Sequence, residues 1–180
     1  MSNIIRTVSN NYIDLSNFHK TIDNVTIEDI AHSGSQLCRY GGHSKRFCPI
    51  NDHSRLVSYL VKEKKYKPLG LGHDTGESYY VEVPRPLKIL LPNYRKLEHG
   101  ATLLILNKYK IFNDKAAWER VKEFDELAYL IERVVYWGDE DSIGAKKILK
   151  KIDWEPAKSF KQGKELFLKR WRELDICTDD

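Results

Sequence analysis

Cysteine, linker-like glycine and proline stretches, and long apolar runs are all scarce in this 180-residue chain. Its three cysteines, Cys38, Cys48 and Cys177, are odd in number and have no CxxC spacing. That pattern excludes a disulfide framework and a zinc finger, and it predicts a reducing, cytoplasmic setting. The longest apolar run covers about residues 101–106, whereas a spanning helix needs roughly 20 residues, so no membrane partner is expected. The first residues lack a charged start, a long apolar stretch and a small-residue cleavage site, which predicts no secretion signal. Without a linker or an internal repeat, the reading is one domain over residues 1–180.

What is present suits a folded core. Hydrophobic residues make up 41% and aromatic residues 11%, too rich a mixture for a solvated disordered chain. The 30 basic and 26 acidic residues leave a net charge of +4, which favours anionic partners without naming them. Lysine-rich runs at 62–67 and 146–151 are the best case for a nucleic-acid surface. Intervening acids and apolar stripes read better as solvated helix faces, so nucleic acid is not the expected partner.

Apolar periodicity predicts an all-α fold with a short extended N-terminal arm. Thr26, with Asp29 three residues on, resembles a capping box, and Ile27, Ile30, Ala31, Leu37 and Cys38 then share a stripe that should stop at Gly41-Gly42. A second helix capped by Asn51 or Asp52 should bury Leu56, Val57, Leu60 and Val61 and run into Lys62–Lys65. A third should start after Pro68 and carry His73 and Glu77, and Pro84-Arg-Pro86 should form a stiff extended elbow. Further helical patterns cover roughly 93–109, 114–137 and 157–174.

Potential ligands concentrate in His53, His73-Asp74, Glu77 and Asp125. Glu77 falls four residues after His73 and three after Asp74, on one helical face. His53 and Asp125 each interrupt an apolar stripe, where a polar group needs a partner. Two imidazoles and two carboxylates suit a divalent transition metal. Taken singly, each also reads as an ordinary cap or core hydrogen-bonding group, and the metal reading requires that they meet in space.

The strings Asn51-Asp-His-Ser54, Gly72-His-Asp-Thr-Gly-Glu-Ser78, Glu82-Val-Pro-Arg-Pro-Leu-Lys88 and Glu123-Phe-Asp-Glu-Leu127, with Ile27–His32 and Arg39–His43, resemble HD-domain phosphohydrolases. The likeness is to bacterial HD-type 5′-deoxynucleotidases and to short phage dATP triphosphohydrolases, and it spans about residues 10–136. It implies a compact HD helical fold in which His53, His73, Asp74 and Asp125 hold one divalent ion (Mn, Co or Zn, with Mg also admitted). Glu77 would be the acid/base, Arg39 and Lys88 the phosphate contacts, and Tyr40 the aromatic beside the nucleoside. Glu82 would crowd the sugar 2′ position, and Pro86 would wall the base pocket. A deoxynucleotide substrate, a homo-oligomer and a cytoplasmic location, that of the host for a phage-encoded chain, are further implications. Lys45, Arg46 and Arg85 near these motifs tilt the expected substrate toward a triphosphate over a monophosphate.

Overall fold

Three helices begin where a short polar side chain meets an otherwise unpaired amide. Thr26 accepts from the Asp29 N–H at 3.1 Å, Asp114 from Ala117 at 2.8 Å and Ser159 from Gln162 at 3.3 Å. These caps open α1 (Ile27–Gln36), α7 (Lys115–Glu132) and α9 (Phe160–Glu173) in a computed structural model that describes residues 3–179. The other helices are α2 (Ile50–Leu60), α3 (Lys67–Gly72), α4 (Glu77–Tyr80), α5 (Arg85–Ile89), α6 (Pro92–Lys108) and α8 (Ala145–Leu149). The fold is all-α, and α2 lies at its centre against α1, α3, α7 and α9. Among the described residues, no helix is long and apolar enough to cross a membrane.

The first helix stops at Gln36, short of Gly41-Gly42, because Leu37 and Cys38 turn extended and Cys38 bridges Pro49. Two bonds fix this join, Arg39 N–H to Cys48 O at 2.8 Å and Ile50 N–H to Leu37 O at 3.1 Å. They set Arg39 and Tyr40 beside the start of α2. Pro49, rather than Asn51 or Asp52, caps α2, since both of those side chains are bonded elsewhere. Asn51 donates to Ala31 O at 2.8 Å. Asp52 accepts from Arg55 at 2.9 Å, Tyr136 at 3.0 Å and the Ala157 amide at 2.7 Å, while its own carbonyl takes the Trp154 indole N–H at 3.0 Å. Leu56, Val57, Leu60 and Val61 are buried as their spacing implies, but α2 ends at Leu60 before the lysines.

The expected third helix divides into α3 and α4. Between them residues 73–76 make a tight turn whose amides bond three residues back, Thr75 to Gly72 O at 3.1 Å and Glu77 to Asp74 O at 3.0 Å. Gly76 allows it: a Cβ there would fall 2.4 Å from Glu98 O and from Thr102 Oγ1 on α6. Pro84-Arg-Pro86 is not an extended elbow. Pro84 caps α5 and Pro86 occupies its first turn, where a fixed φ and a missing N–H cost nothing.

The N-terminal segment is not a free arm. Ile4–Arg6 and Tyr12–Asp14 pair antiparallel, with Ile5 opposite Ile13, and Phe18–Asn24 follows as a 3₁₀ segment. Ile13 and Phe18 are buried, the Tyr80 hydroxyl donates to Leu15 O at 2.5 Å, and the Ser9 amide donates to Asp29 at 2.9 Å. The Lys146 run, read from sequence as surface charge, carries the short helix α8.

Candidate metal centre

Three packed helices bring the ligands together. His53 lies one turn into α2, behind the anchor that Asp52 makes. Gly70 lets α3 press on α2, for a Cβ there would lie 3.1 Å from Ser58 Cα; His73 and Asp74 follow on the turn beyond. Asp125 faces the same point from α7. One ligand atom each from His53, His73 and Asp125 falls within 4.8 Å of the others. Asp74 Oδ2 sits 3.6 Å from His53 Nε2 and 3.3 Å from His73 Nε2, and Asp125 Oδ1 sits 3.0 Å from His53 Nε2. The condition that sequence left open, that His53 and Asp125 meet, is satisfied.

Both imidazoles are held from behind. Nδ1 of His73 donates to Gly70 O at 2.9 Å, and Nδ1 of His53 donates to Glu132 Oε1 at 2.9 Å. Each ring therefore presents Nε2 to the cluster, where that of His53 faces Asp125 Oδ1 and that of His73 is buried without a hydrogen-bond partner. A buried polar atom left so is costly unless something else occupies the point it faces. Imidazole nitrogen and carboxylate oxygen suit a divalent transition metal, and backing by a carboxylate or a carbonyl orients such ligands. The residues present fit a metal.

Burial and the Arg39 guanidinium depress His53, yet Glu132 and Asp125 on its two sides outweigh them and raise it to about 10. Burial lifts Asp125, but His53, His73 and Arg39 hold it well below the usual carboxylate range. Burial and the neighbouring Asp74 push Glu77 up to about 8, with Lys88 and Arg39 pulling the other way. Lys88 Nζ donates to Glu77 Oε1 at 2.6 Å and lies 3.5 Å from Glu98 Oε2. Arg39 lies 3.7 Å from Asp74 and 3.4 Å from Glu132.

Tyr40 donates its hydroxyl to Glu132 and packs edge-on against Trp137, with ring centroids 4.4 Å apart. Glu82 and Pro86 stand apart. Glu82 is half-buried near Tyr94 and Pro86 is exposed on α5, and no hydrogen bond or ion pair among the described residues ties either to the ligand cluster. Arg85 pairs with Glu126 at 2.8 Å on the surface, and Lys45 and Arg46 line a separate cavity.

Glu132 is the residue that sequence reasoning missed. It is fully buried and touches His53, Arg39 and Tyr40 at once. The signal was its place seven residues after Asp125, two helical turns along the same face of α7. Burial is opposed there by Arg39 and His53, which keep its carboxyl below the ordinary value.

No family model matches the chain. A search of curated proteins finds uncharacterized protein YfdR of Escherichia coli (strain K12), 36% identical over 105 residues. The aligned part is 58% of this chain and 57% of YfdR, so the chain spans little more than half of that relative, whose name states no activity.

Proposed function

We propose that the protein is an HD-type, metal-dependent phosphohydrolase acting on deoxynucleoside 5′-phosphates, with release of tripolyphosphate from a deoxynucleoside triphosphate as the form that the cations near these motifs in the sequence favour. The observation that carries this reading is the convergence of the buried Nε2 atoms of His53 and His73 on the carboxylates of Asp74 and Asp125. A bound divalent ion supplies Lewis acidity and lowers the pKa of water. Glu77, its carboxyl pushed up by burial and the neighbouring Asp74, is the group placed to exchange a proton with water or with the departing oxygen. Arg39 presents a planar fork for phosphate oxygens and Lys88 a point charge. Both are held beside the ligands, Arg39 3.7 Å from Asp74 and Lys88 2.6 Å from Glu77. Stabilising charge as it spreads over the phosphoryl oxygens is their share of the chemistry.

A second reading, hydrolysis of the 5′-monophosphate to deoxynucleoside and phosphate, has its own observation. Arg39 and Lys88 sit at the ligand cluster, while Arg85 is paired with Glu126 and Lys45 and Arg46 line another cavity. Two cations match a short phosphate better than a triphosphate tail.

The test is a panel of dNMPs, dNTPs and their ribo counterparts, given to chelator-treated protein with Mn, Co, Zn or Mg. Nucleoside, phosphate and tripolyphosphate are followed separately. Metal-dependent nucleoside release is expected, and the co-product separates the two readings. No release from any substrate with any metal would sink both.

A further inference from the structure

A cavity of about 490 Å³ opens beside the π-helical turn Arg133–Trp137 that continues α7. Lys45, Arg46 and Lys146 line it together with Trp137, Val135 and Leu149, and it shares no lining residue with the metal centre. No carboxylate is among its lining residues. Of the acids close by in the chain, Asp139 pairs with Arg133 at 2.6 Å and Asp141 accepts the amides of Ala145 and Lys146, while Glu140 lies outside the cavity wall. The loop that carries two of the cations is fixed in place. The Lys45 amide donates to Tyr136 O at 3.2 Å and the Ser44 hydroxyl to Arg46 O at 2.8 Å.

Lys45 and Arg46 form no ion pair among the described residues, and Lys146, near Asp141, adds a third charge, so the cavity calls for an anion of more than one charge; Arg adds a fork suited to phosphate. An indole with aliphatic neighbours calls for a flat, largely apolar group. A concave site of this volume accommodates one small ligand rather than a strand. We propose that this cavity is a second binding site, for a nucleoside polyphosphate, with the base against Trp137 and the phosphates on Lys45, Arg46 and Lys146. The site does not depend on the hydrolytic reading of the metal centre.

The test is calorimetric titration of dATP into the full chain in EDTA, with tryptophan fluorescence in parallel. Saturable binding is expected. Combined replacement Lys45→Ala, Arg46→Ala and Lys146→Ala should weaken it on the order of 30-fold, the fall expected when exposed charge-assisted contacts are lost. Trp137→Phe should remove the fluorescence response, and inorganic tripolyphosphate should bind more weakly than dATP. All three cations are exposed, so the variants should keep their helices, which circular dichroism checks. The proposal is overturned by an absence of saturable binding below about 1 mM, or by full affinity in the triple variant. Loss of binding in Arg39→Ala with the triple variant unaffected would place the ligand at the metal centre and overturn it equally.

Discussion

The candidate metal centre and the cavity beside Trp137 use lysine and arginine in opposite ways. At the metal centre Arg39 and Lys88 are largely buried and each meets two carboxylates, Glu132 and Asp74 for one, Glu77 and Glu98 for the other. At the cavity Lys45, Arg46 and Lys146 are exposed and no carboxylate lines the wall. Burial explains the difference. A charge removed from water must be paired, whereas a solvated one can wait for a ligand. The carboxylates Asp74, Glu77, Glu98, Asp125 and Glu132 outnumber the cations around them, an imbalance that a divalent cation offsets. A net charge of +4 over the whole chain therefore conceals one acidic and one basic locality.

The comparison breaks most severely at a ligand. His73→Ala is expected to weaken Mn or Co binding by more than about 100-fold in calorimetry, beyond what loss of an outer partner costs. Unchanged affinity would remove His73 from the ligand set. Glu132 comes next. Glu132→Ala leaves Arg39 and His53 facing an uncompensated gap and should cost about 3–5 kcal/mol in urea unfolding. Glu132→Gln keeps the shape and should instead lower metal affinity by roughly 10–100-fold, while dATP binding at the cavity stays as it was. Gly76→Ala forces a methyl into Glu98 O and Thr102, with an expected loss of about 1–3 kcal/mol. Wild-type stability in that variant would show that the turn can move off α6.

Salt sharpens the same contrast with a smaller effect. Raising ionic strength should weaken dATP binding at the exposed cavity and leave metal affinity at the buried centre nearly constant. The smallest effect lies at the N-terminal hairpin. Burial lifts Asp29, but the Ser9 amide and nearby hydroxyls outweigh it and hold the carboxyl below its ordinary 3.8. Its contribution is present above that ordinary value and is lost as pH falls through the lower folded one. Hydrogen exchange at the Ser9 amide should accelerate over that acid range before the core amides respond.

Some of this was legible in the residues and some was not. The apolar stripes of α6, α7 and α9 are long enough for a 3.6-residue period to stand out, so their extents were foreseen within a few residues. His53 and Asp125 stood out because each breaks an apolar face, and they do meet. Glu132 did not stand out, since a glutamate near a helix end reads as solvated until Arg39 and His53 are seen against it. The break at residues 73–76 depends on Glu98 and Thr102 of α6, more than twenty residues beyond Gly76, and local propensity carries no trace of that contact. Pro84-Arg-Pro86 was misread because two prolines that stiffen an extended chain also suit the first turn of a helix.

Asp52 gives the centre a reach beyond its own helix. Its carboxylate and carbonyl hold Ala157 and Trp154, more than 100 residues away in sequence, while the next residue is His53. Anything that steadies the His53 end of α2 is thermodynamically linked to the docking of the 154–157 segment. The Ala157 amide thus serves as a distant reporter. Its exchange with solvent should slow when metal binds, although no ligand lies in that part of the chain.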